Sequence, residues 1–295
     1  MRRRRYLAGL AGTASLLAGC STGDDAEEAD ETVTPAPVPG EAPATLTDSS
    51  GVVPETVGDA HVGELSGGSA TVGVEYAALA DGEPFESTRV LSTVDGAAFT
   101  YRRFDVRRTA PDGVSRTFRG IWYEDGEAVF RFVKAQRKSV YREPDDFDPP
   151  SPGERFDRDR IVSTLAAFDP TTTAATDGYR LAAGEVTHPD RLPTGDRIDG
   201  DTVGSLSARL ESAGTVPELR AWFSGAADGD PVVVTYRLAV TDRGETTVER
   251  PDSSDTFDWF LELKDGSPIE RVTSTPVGAG DPLGRRRASN GTRRK

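Results

Sequence analysis

Strict alternation of apolar and polar residues is the feature that most constrains how this chain can fold. Residues 232–241 place Val232, Val234, Tyr236, Leu238 and Val240 at every second position. A period of two is typical of strands that bury one face. The pattern recurs in six further segments, at 72–76, 89–94, 99–106, 115–123, 129–133 and 257–264. The sequence therefore predicts a domain built mainly from strands.

Short turn sequences separate these segments. Asp–Gly pairs stand at 81–82, 95–96, 112–113, 125–126 and 265–266, and an Arg–Gly pair stands at 243–244. Such residues tolerate positive φ, so they favour tight turns between neighbouring antiparallel strands. Parallel pairing would need longer connections. We expect an antiparallel meander.

Two short segments have helical spacing instead. Asp159–Phe168 places Ile161, Leu165 and Phe168 on one helical face, and Thr202–Ser212 does so with Val203, Leu206 and Leu210. Both are predicted as short amphipathic helices. The expected fold class is α+β, mainly antiparallel β, with a curved half-barrel-like sheet and short helices on one side.

The first nineteen residues have the pattern of a signal peptide. Arg2–Arg5 precede a 13-residue apolar run, Tyr6–Ala18, which is shorter than the roughly 20 residues of a membrane-spanning helix. The run ends in Leu17-Ala18-Gly19-Cys20, which resembles the lipobox of secreted lipoproteins, and the arginines resemble a twin-arginine export signal. We predict lipidation of Cys20 and attachment to the outer face of the cell membrane, an extracytoplasmic location at the cell surface.

Composition then divides the rest of the chain. Residues 20–60 contain ten acidic residues, no Lys or Arg and several prolines, so they are predicted to be a disordered stalk. Residues 61–277 are predicted to form a single β-rich domain, and 278–295 a basic disordered tail. Asn290-Gly291-Thr292 is a weak glycosylation signal at Asn290.

The charge balance argues against nucleic acid as a partner and suggests a high-salt environment. Asp and Glu number 49 against 35 Lys and Arg, which gives a net charge of -14, so nucleic acid is not an expected partner. Only four residues are lysine. Acidic, lysine-poor surfaces suit molar salt, where screening removes their self-repulsion. An ordinary acidic protein is the alternative.

The order of these features resembles a known group of proteins. Lipobox, acidic stalk, strand meander, two helices and the late strand Val232–Arg237 leading to Thr246–Pro251 resemble a family of haloarchaeal secreted lipoproteins of unknown function. That family is similar in architecture to bacterial lipoprotein carriers and mycobacterial lipid-binding lipoproteins, which hold acyl chains in the concavity of a half-barrel. The resemblance implies a hydrophobic ligand cavity.

No sequence motif indicates catalysis. There is no Gly-x-Ser-x-Gly elbow and no phosphate-binding loop. The two histidines, His61 and His188, have no neighbouring ligand residues, so both are predicted to be surface or turn residues. A carboxylate pair for glycoside hydrolysis stays open, although nothing marks one. We therefore expect no catalytic residue, no metal, no cofactor and no enzyme activity.

Aromatic residues supply the candidates for ligand contact. Their plain interpretation is that they fill the core. The sharper one is that both faces of the sheet carry apolar side chains, so that one face lines a pocket. The candidate lining residues are Phe118, Trp122, Phe130, Phe132 and Trp259. The predicted function is a lipoprotein that binds or carries a lipid or other hydrophobic ligand, and the alternative is a surface interaction protein without a cavity.

Overall fold

A computed structural model describes most of the predicted domain. The described residues are 46–48, 51–80, 83–109, 113–134, 140–142, 148–193, 198–227, 229–251 and 269. The predicted signal peptide, Cys20, Trp259, Asn290 and the basic tail lie outside them. Within the described part of the chain, no helix combines the length and the apolar character needed to cross a bilayer.

Antiparallel strands form nearly all of this structure. A small pair, β1 (Thr47–Asp48) and β2 (Gly51–Val52), precedes an eleven-stranded sheet. The strands of the large sheet are β3 (Ser69–Ala80), β4 (Glu83–Asp95), β5 (Ala98–Thr109), β6 (Gly113–Glu124), β7 (Glu127–Lys134), β8 (Val140–Arg142), β9 (Thr171–Ala175), β10 (Gly178–Ala183), β11 (Asp199–Glu211), β12 (Glu218–Ala227) and β13 (Asp230–Thr241). Their spatial order is β8-β7-β6-β5-β4-β3-β13-β12-β11-β10-β9.

The order joins two meanders side by side. Strands β3–β8 form one and β9–β13 the other, and they meet where β13 pairs with β3. At the β6–β7 turn, Asp125 and Gly126 have φ of 49° and 87°, the positive values that the Asp–Gly pair predicted. The predicted antiparallel meander and the α+β class with a curved, open, half-barrel-like sheet are confirmed.

In the described ranges, helices α1 (Pro54–Ser66), α2 (Pro152–Arg155) and α3 (Arg158–Phe168) accompany the sheet, with a 3-10 helix at Pro189–Arg191. The predicted helix at Asp159–Phe168 is confirmed as α3. Its Ile161, Leu165 and Phe168 are buried in one core with Val72 and Val74 of β3. We call the sheet face that carries these β3 residues the inner face, and the opposite one the outer face.

The prediction of a second helix at Thr202–Ser212 is wrong. These residues belong to strand β11, which is paired on both sides with β10 and β12. Leu206, Ala208 and Leu210 are buried at alternate positions. The apolar residues of this segment fit both a helical and a strand period, and the two flanking strands decided the outcome because they satisfy its backbone on both edges.

The boundary predicted at residue 61 falls inside a helix. Helix α1 starts at Pro54, and Val57 and Leu65 are fully buried. Upstream, Leu46 joins the same core and its carbonyl accepts a hydrogen bond from the Val53 N–H. The described residues 46–48 and 51–60 therefore belong to the folded structure and not to a disordered stalk. Their Pro-rich and acidic composition concealed a few apolar side chains that tertiary packing buries.

Candidate ligand-binding site

Strand register separates the four described candidates for the cavity lining into two pairs. Strand pairing aligns Phe118 with Phe104, and Trp122 with Thr100, on the outer face. Phe130 and Phe132 instead occupy register positions opposite Ile121 and Arg119. The positions paired with Trp122 and Phe118 on β7 are Val129 and Val133. The register therefore places Phe118 and Trp122 on one sheet face and the positions of Phe130 and Phe132 on the other. Trp259 lies outside the described residues, and contact of these residues with a ligand stays a prediction.

Both outer-face candidates are buried, Phe118 in a small apolar cluster and Trp122 beneath an arginine. Phe118 packs with Leu91 and Phe104, and each of the three is at most 9% exposed. Trp122 is 2% exposed, and the Arg250 guanidinium lies 5.2 Å from the centre of its ring while pairing with Glu127 at 2.8 Å. This arrangement is packing, not an open pocket.

The inner face carries a different set of aromatic side chains. Tyr76, Phe99, Tyr101 and Tyr236 come from strands β3, β5 and β13, and all are at most 3% exposed. Phe99 stacks on Tyr123 with ring centres 5.3 Å apart. We call the four residues Tyr76, Phe99, Tyr101 and Tyr236 the aromatic floor. Helices α2 and α3 lie above it.

A capping box determines where α2 begins. The Ser151 hydroxyl accepts a hydrogen bond from the Glu154 N–H at 3.2 Å, and the Glu154 carboxylate accepts one from the Ser151 N–H at 3.1 Å. Pro152 occupies the first turn, where its missing N–H costs nothing. One turn of helix then delivers Arg155 to the aromatic floor.

Arg160 is a paired cation above the floor. Its Nη1 contacts the two Asp157 carboxylate oxygens at 2.7 and 2.9 Å. Its guanidinium carbon lies 4.7 Å from the ring centre of Tyr76 and 5.7 Å from that of Tyr236. Burial, with the Asp157 carboxylate nearby, raises the pKa of Tyr236 well above its ordinary value, so this hydroxyl stays protonated.

Arg155 is a buried cation of another kind. It is 9% exposed and its guanidinium carbon lies 4.1 Å from the Phe99 ring centre and 5.5 Å from that of Phe156. Burial lowers its pKa, and no carboxylate among the described residues pairs with it. Its Nε has no hydrogen-bond partner in that same part of the chain. Within the described part of the chain, the contacts of this positive charge are therefore with aromatic rings.

Further polar atoms lie buried on the inner side without partners. Among the described residues, nothing bonds to the Ser92 hydroxyl of β4, which is fully buried, or to the Thr164 hydroxyl of α3, which is 1% exposed. A buried hydroxyl without a hydrogen bond costs about 1–3 kcal/mol. The layer between helices and sheet is therefore well packed, but some of its buried polar atoms lack hydrogen bonds to the described residues.

His61 contradicts the prediction of a surface or turn residue. It is fully buried in α1, and its Nδ1 accepts a hydrogen bond from the Val216 N–H at 3.1 Å. Burial lowers its pKa to about 4; the Phe156 backbone opposes this shift and the Arg243 charge adds to it. The ring is neutral at pH 7 and ties α1 to the turn before β12. The spacing of Val57, His61 and Leu65 at i and i+4 was the missed signal.

The inner-face site brings together the guanidiniums of Arg155 and Arg160, the Asp157 carboxylate and tyrosine hydroxyls. No group of three His, Cys, Asp or Glu that could hold a metal occurs in the described ranges. A guanidinium over aromatic rings recognises an anion or a planar carboxylate. Sequence reasoning missed Arg155, although the Ser151-to-Glu154 capping box could have located its helix.

Comparison with known proteins adds little. No protein-family model and no curated protein sequence matches this chain. Among solved structures, a LolA superfamily protein from Nitrosomonas europaea is similar over 68% of this chain and 96% of its own length, with 12% sequence identity and a TM-score of 0.22. A likeness this weak does not establish a shared function, and the resemblance to haloarchaeal lipoproteins stays a prediction.

Proposed function

We propose that this protein is a lipoprotein, held at the outer face of the cell membrane through Cys20, that binds amphiphilic molecules with an apolar chain and an anionic group. The binding region is the layer between helices α2 and α3 and the aromatic floor. The proposed role is carriage or reception of the ligand and not catalysis.

One observation carries the ligand proposal: the unpaired charge of Arg155. An ion removed from water without a counterion costs several kcal/mol, whereas contact with an aromatic ring returns about 2 kcal/mol. Among the described residues, Phe99 and Phe156 offer Arg155 that aromatic contact and no carboxylate. A ligand carboxylate or phosphate would supply the missing counterion. Binding would thus relieve an unfavourable state of the unliganded protein.

The surroundings of Arg155 suit the apolar part of such a ligand. Phe99 and Phe156 belong to a buried core that also contains Val94, Ala70 and Leu65. An acyl chain placed here would make apolar contacts in place of those that the core side chains now make with one another. Its head group would contact the Arg155 guanidinium. The site therefore combines an apolar wall with one charged side chain, as small-molecule sites commonly do.

The helix layer has to shift before a chain can enter. Phe156, Ile161, Leu165 and Phe168 are at most 1% exposed and fill the inner face in this structure. Helix α2 has only four residues, and Asp157, which follows Phe156, adopts left-handed φ and ψ of 59° and 34°. A one-turn helix joined through this left-handed residue is the segment best suited to move. The unpaired hydroxyls of Ser92 and Thr164 lower the cost of opening.

Paired amphiphiles of equal chain length test the ligand proposal. Oleate and oleyl alcohol differ in the anionic group, so we expect the purified protein to bind oleate at least about tenfold more tightly in a calorimetric titration. Arg155→Met keeps the apolar stem and should remove this preference. Arg116→Gln, on an exposed outer-face residue, is the matched control and should keep it. Equal binding of both compounds, or a preference that survives in Arg155→Met, would contradict the proposal.

Detergent partitioning tests the anchor separately. The wild-type protein expressed in a lipoprotein-processing host should enter the detergent phase of a temperature-induced phase separation, because two acyl or ether-linked chains hold a protein firmly. Cys20→Ser should move it to the aqueous phase. A wild-type protein found in the aqueous phase with an unmodified Cys20 would refute the anchor, whatever the ligand titration shows.

The alternative is a surface interaction protein without a ligand cavity. The filled inner face favours it, since Tyr101, Tyr236, Phe156 and Phe168 are among the largest fully buried side chains. Native mass spectrometry separates the two: a co-purifying amphiphile supports binding. Empty protein that also ignores added oleate supports the alternative.

A further inference from the structure

The outer face of the β9–β13 half is open to solvent and carries arginine. Arg180, Arg209, Arg220 and Arg237 lie on it at neighbouring register positions of β10, β11, β12 and β13. Arg220 pairs with Glu218 at 2.6 Å, and Arg237 with Glu75 at 3.4 Å. Arg180 and Arg209 are exposed. Glu218 stands opposite Arg209 in the strand register but forms its ion pair with Arg220, and within the described ranges neither Arg180 nor Arg209 is in an ion pair. We call these four arginines the arginine face.

Apolar side chains adjoin the arginine face. The large apolar side chains that are exposed in the described ranges are Val114, Val203, Trp222 and Val233, and the last three share this surface. Trp222 pairs with Ser205 and Thr235, and the next row aligns Val203, Ser224 and Val233. Trp222 and Val233 are each 40% exposed and Val203 is 57% exposed. Two rows of exposed apolar residues thus lie directly beside two rows of arginines.

A shallow depression lies within the arginine face. It has a volume of about 320 Å³ and is lined by side chains that include Arg180, Arg209, Arg220 and Ser207. Guanidiniums and a hydroxyl around one concavity are donors that suit phosphate oxygens. Glu218 is the acid in this lining, and Arg220 already pairs with it.

The sign of this surface is opposite to that of the chain. The protein has a net charge of -14, yet the arginine face keeps two cations that no described carboxylate neutralises. A local positive surface on an acidic protein selects an anionic partner by charge complementarity. The adjoining Trp222, Val203 and Val233 require that this partner also accept apolar side chains.

We propose that this surface docks flat on an anionic lipid bilayer. Arginines would bind the lipid phosphates, the depression would receive a head group, and Trp222 with the two valines would enter the boundary between head groups and acyl chains. Tryptophan favours that boundary and basic residues bind anionic lipid surfaces. This inference goes beyond the proposed function, because it needs neither the lipid on Cys20 nor a ligand at Arg155.

Vesicle flotation with full-length Cys20→Ser protein tests the docking, because any binding then occurs without a lipid on the cysteine. Vesicles of phosphatidylglycerol and of phosphatidylcholine are compared at the lowest KCl concentration that keeps the native circular dichroism spectrum. We expect at least about tenfold tighter binding to phosphatidylglycerol. The double variant Arg180→Gln/Arg209→Gln should weaken it about thirtyfold, since each basic residue near an anionic surface contributes about 1 kcal/mol.

Two controls make the test specific to this surface. Arg116→Gln/Arg119→Gln removes the same charge from exposed residues of β6, so its affinity should change less than about threefold, since the lost charges do not touch the bilayer. Tryptophan emission should shift to the blue on vesicle binding, and Trp222→Phe should abolish the shift whereas Trp122→Phe keeps it. Equal binding to both lipids, an equal loss in the β6 variant, or a shift that survives Trp222→Phe would overturn the proposal. So would concentration-dependent dimerisation that Trp222→Phe abolishes, because a second copy would then occupy the surface.

Discussion

Trp122 and Trp222 lie on the same outer face of one sheet, yet the first is 2% exposed and the second 40%. Both sit in alternating strands with paired neighbours on each side. Trp122 of β6 lies between Thr100 and Val129, and Trp222 of β12 between Ser205 and Thr235. Equivalent positions in the strand pattern have thus acquired opposite environments.

The path of the chain after β13 explains the difference. It turns back over β3, where the Ser69 hydroxyl donates to the Thr246 carbonyl at 2.7 Å, and continues until Arg250 lies over Trp122. No segment of the described ranges returns over β9–β12 in the same way. A sheet face is therefore not uniformly interior or exterior, and the covering segment decides which half is core.

The largest expected effect is on stability when the covered tryptophan is removed. Trp122→Ala should lower the free energy of unfolding by about 4 kcal/mol, because it leaves a cavity where a large side chain is 2% exposed. Trp222→Ala removes the same atoms from an open surface and should cost less than about 1 kcal/mol. Urea unfolding followed by circular dichroism measures both. Similar losses of unfolding free energy in the two variants would show that the Trp122 and Trp222 sites are equally buried.

The next largest effect concerns the pH dependence of stability, which should differ between the buried His61 and the half-exposed His188. The pKa of His61 is about 4 when folded and about 6.5 in the unfolded chain. The unfolded chain therefore binds more protons between these values, and stability falls by about 3 kcal/mol as pH drops from 6.5 to 4. Urea unfolding at several pH values should show this loss of stability in addition to the loss that the carboxylates cause. The loss should appear in the wild type and in His188→Gln, which changes a half-exposed histidine. His61→Gln should not show it, and an unchanged pH dependence there would refute a buried neutral ring.

A smaller effect is expected from removing Arg250, the side chain that lies over Trp122. Arg250→Ala removes the cation over Trp122 and an exposed ion pair with Glu127, so it should destabilise by about 1 kcal/mol. It should also increase acrylamide quenching of tryptophan emission. Glu127→Ala removes only the ion pair and should leave quenching unchanged. Equal quenching in all three proteins would show that Arg250 does not shield Trp122.

The smallest expected effect lies on the open half. Val233→Thr keeps the side-chain shape and a strand-favouring residue at a 40% exposed position, so its free energy of unfolding should stay within about 0.5 kcal/mol of wild type. Val129→Thr, the same change at a position 1% exposed beside Trp122, places a hydroxyl in the cluster and should cost more than about 1 kcal/mol. Equal urea midpoints for the two variants would remove the distinction between the halves.

Prediction from the sequence succeeded where a local signal had one interpretation. The alternation in β13 and the Asp–Gly turns located strands and their antiparallel order. It failed at 202–212, where helical and strand periods coincide, and at 54–66, where proline and acidic residues masked the buried Val57 and Leu65. Alternation within a strand does not determine the register between strands, which pairs Trp122 with Val129 and not with Phe130.

The sequence by itself determined that this chain builds antiparallel strands with Asp–Gly turns and that its single cysteine rules out an intrachain disulfide. Those properties depend on residues close together along the chain. Only the tertiary structure decided that Arg155 lies over Phe99 with no carboxylate partner among the described residues, that His61 is buried against Val216, and that Trp122 is covered while Trp222 is open. Each of these depends on contacts between distant segments, which no local pattern of residues specifies.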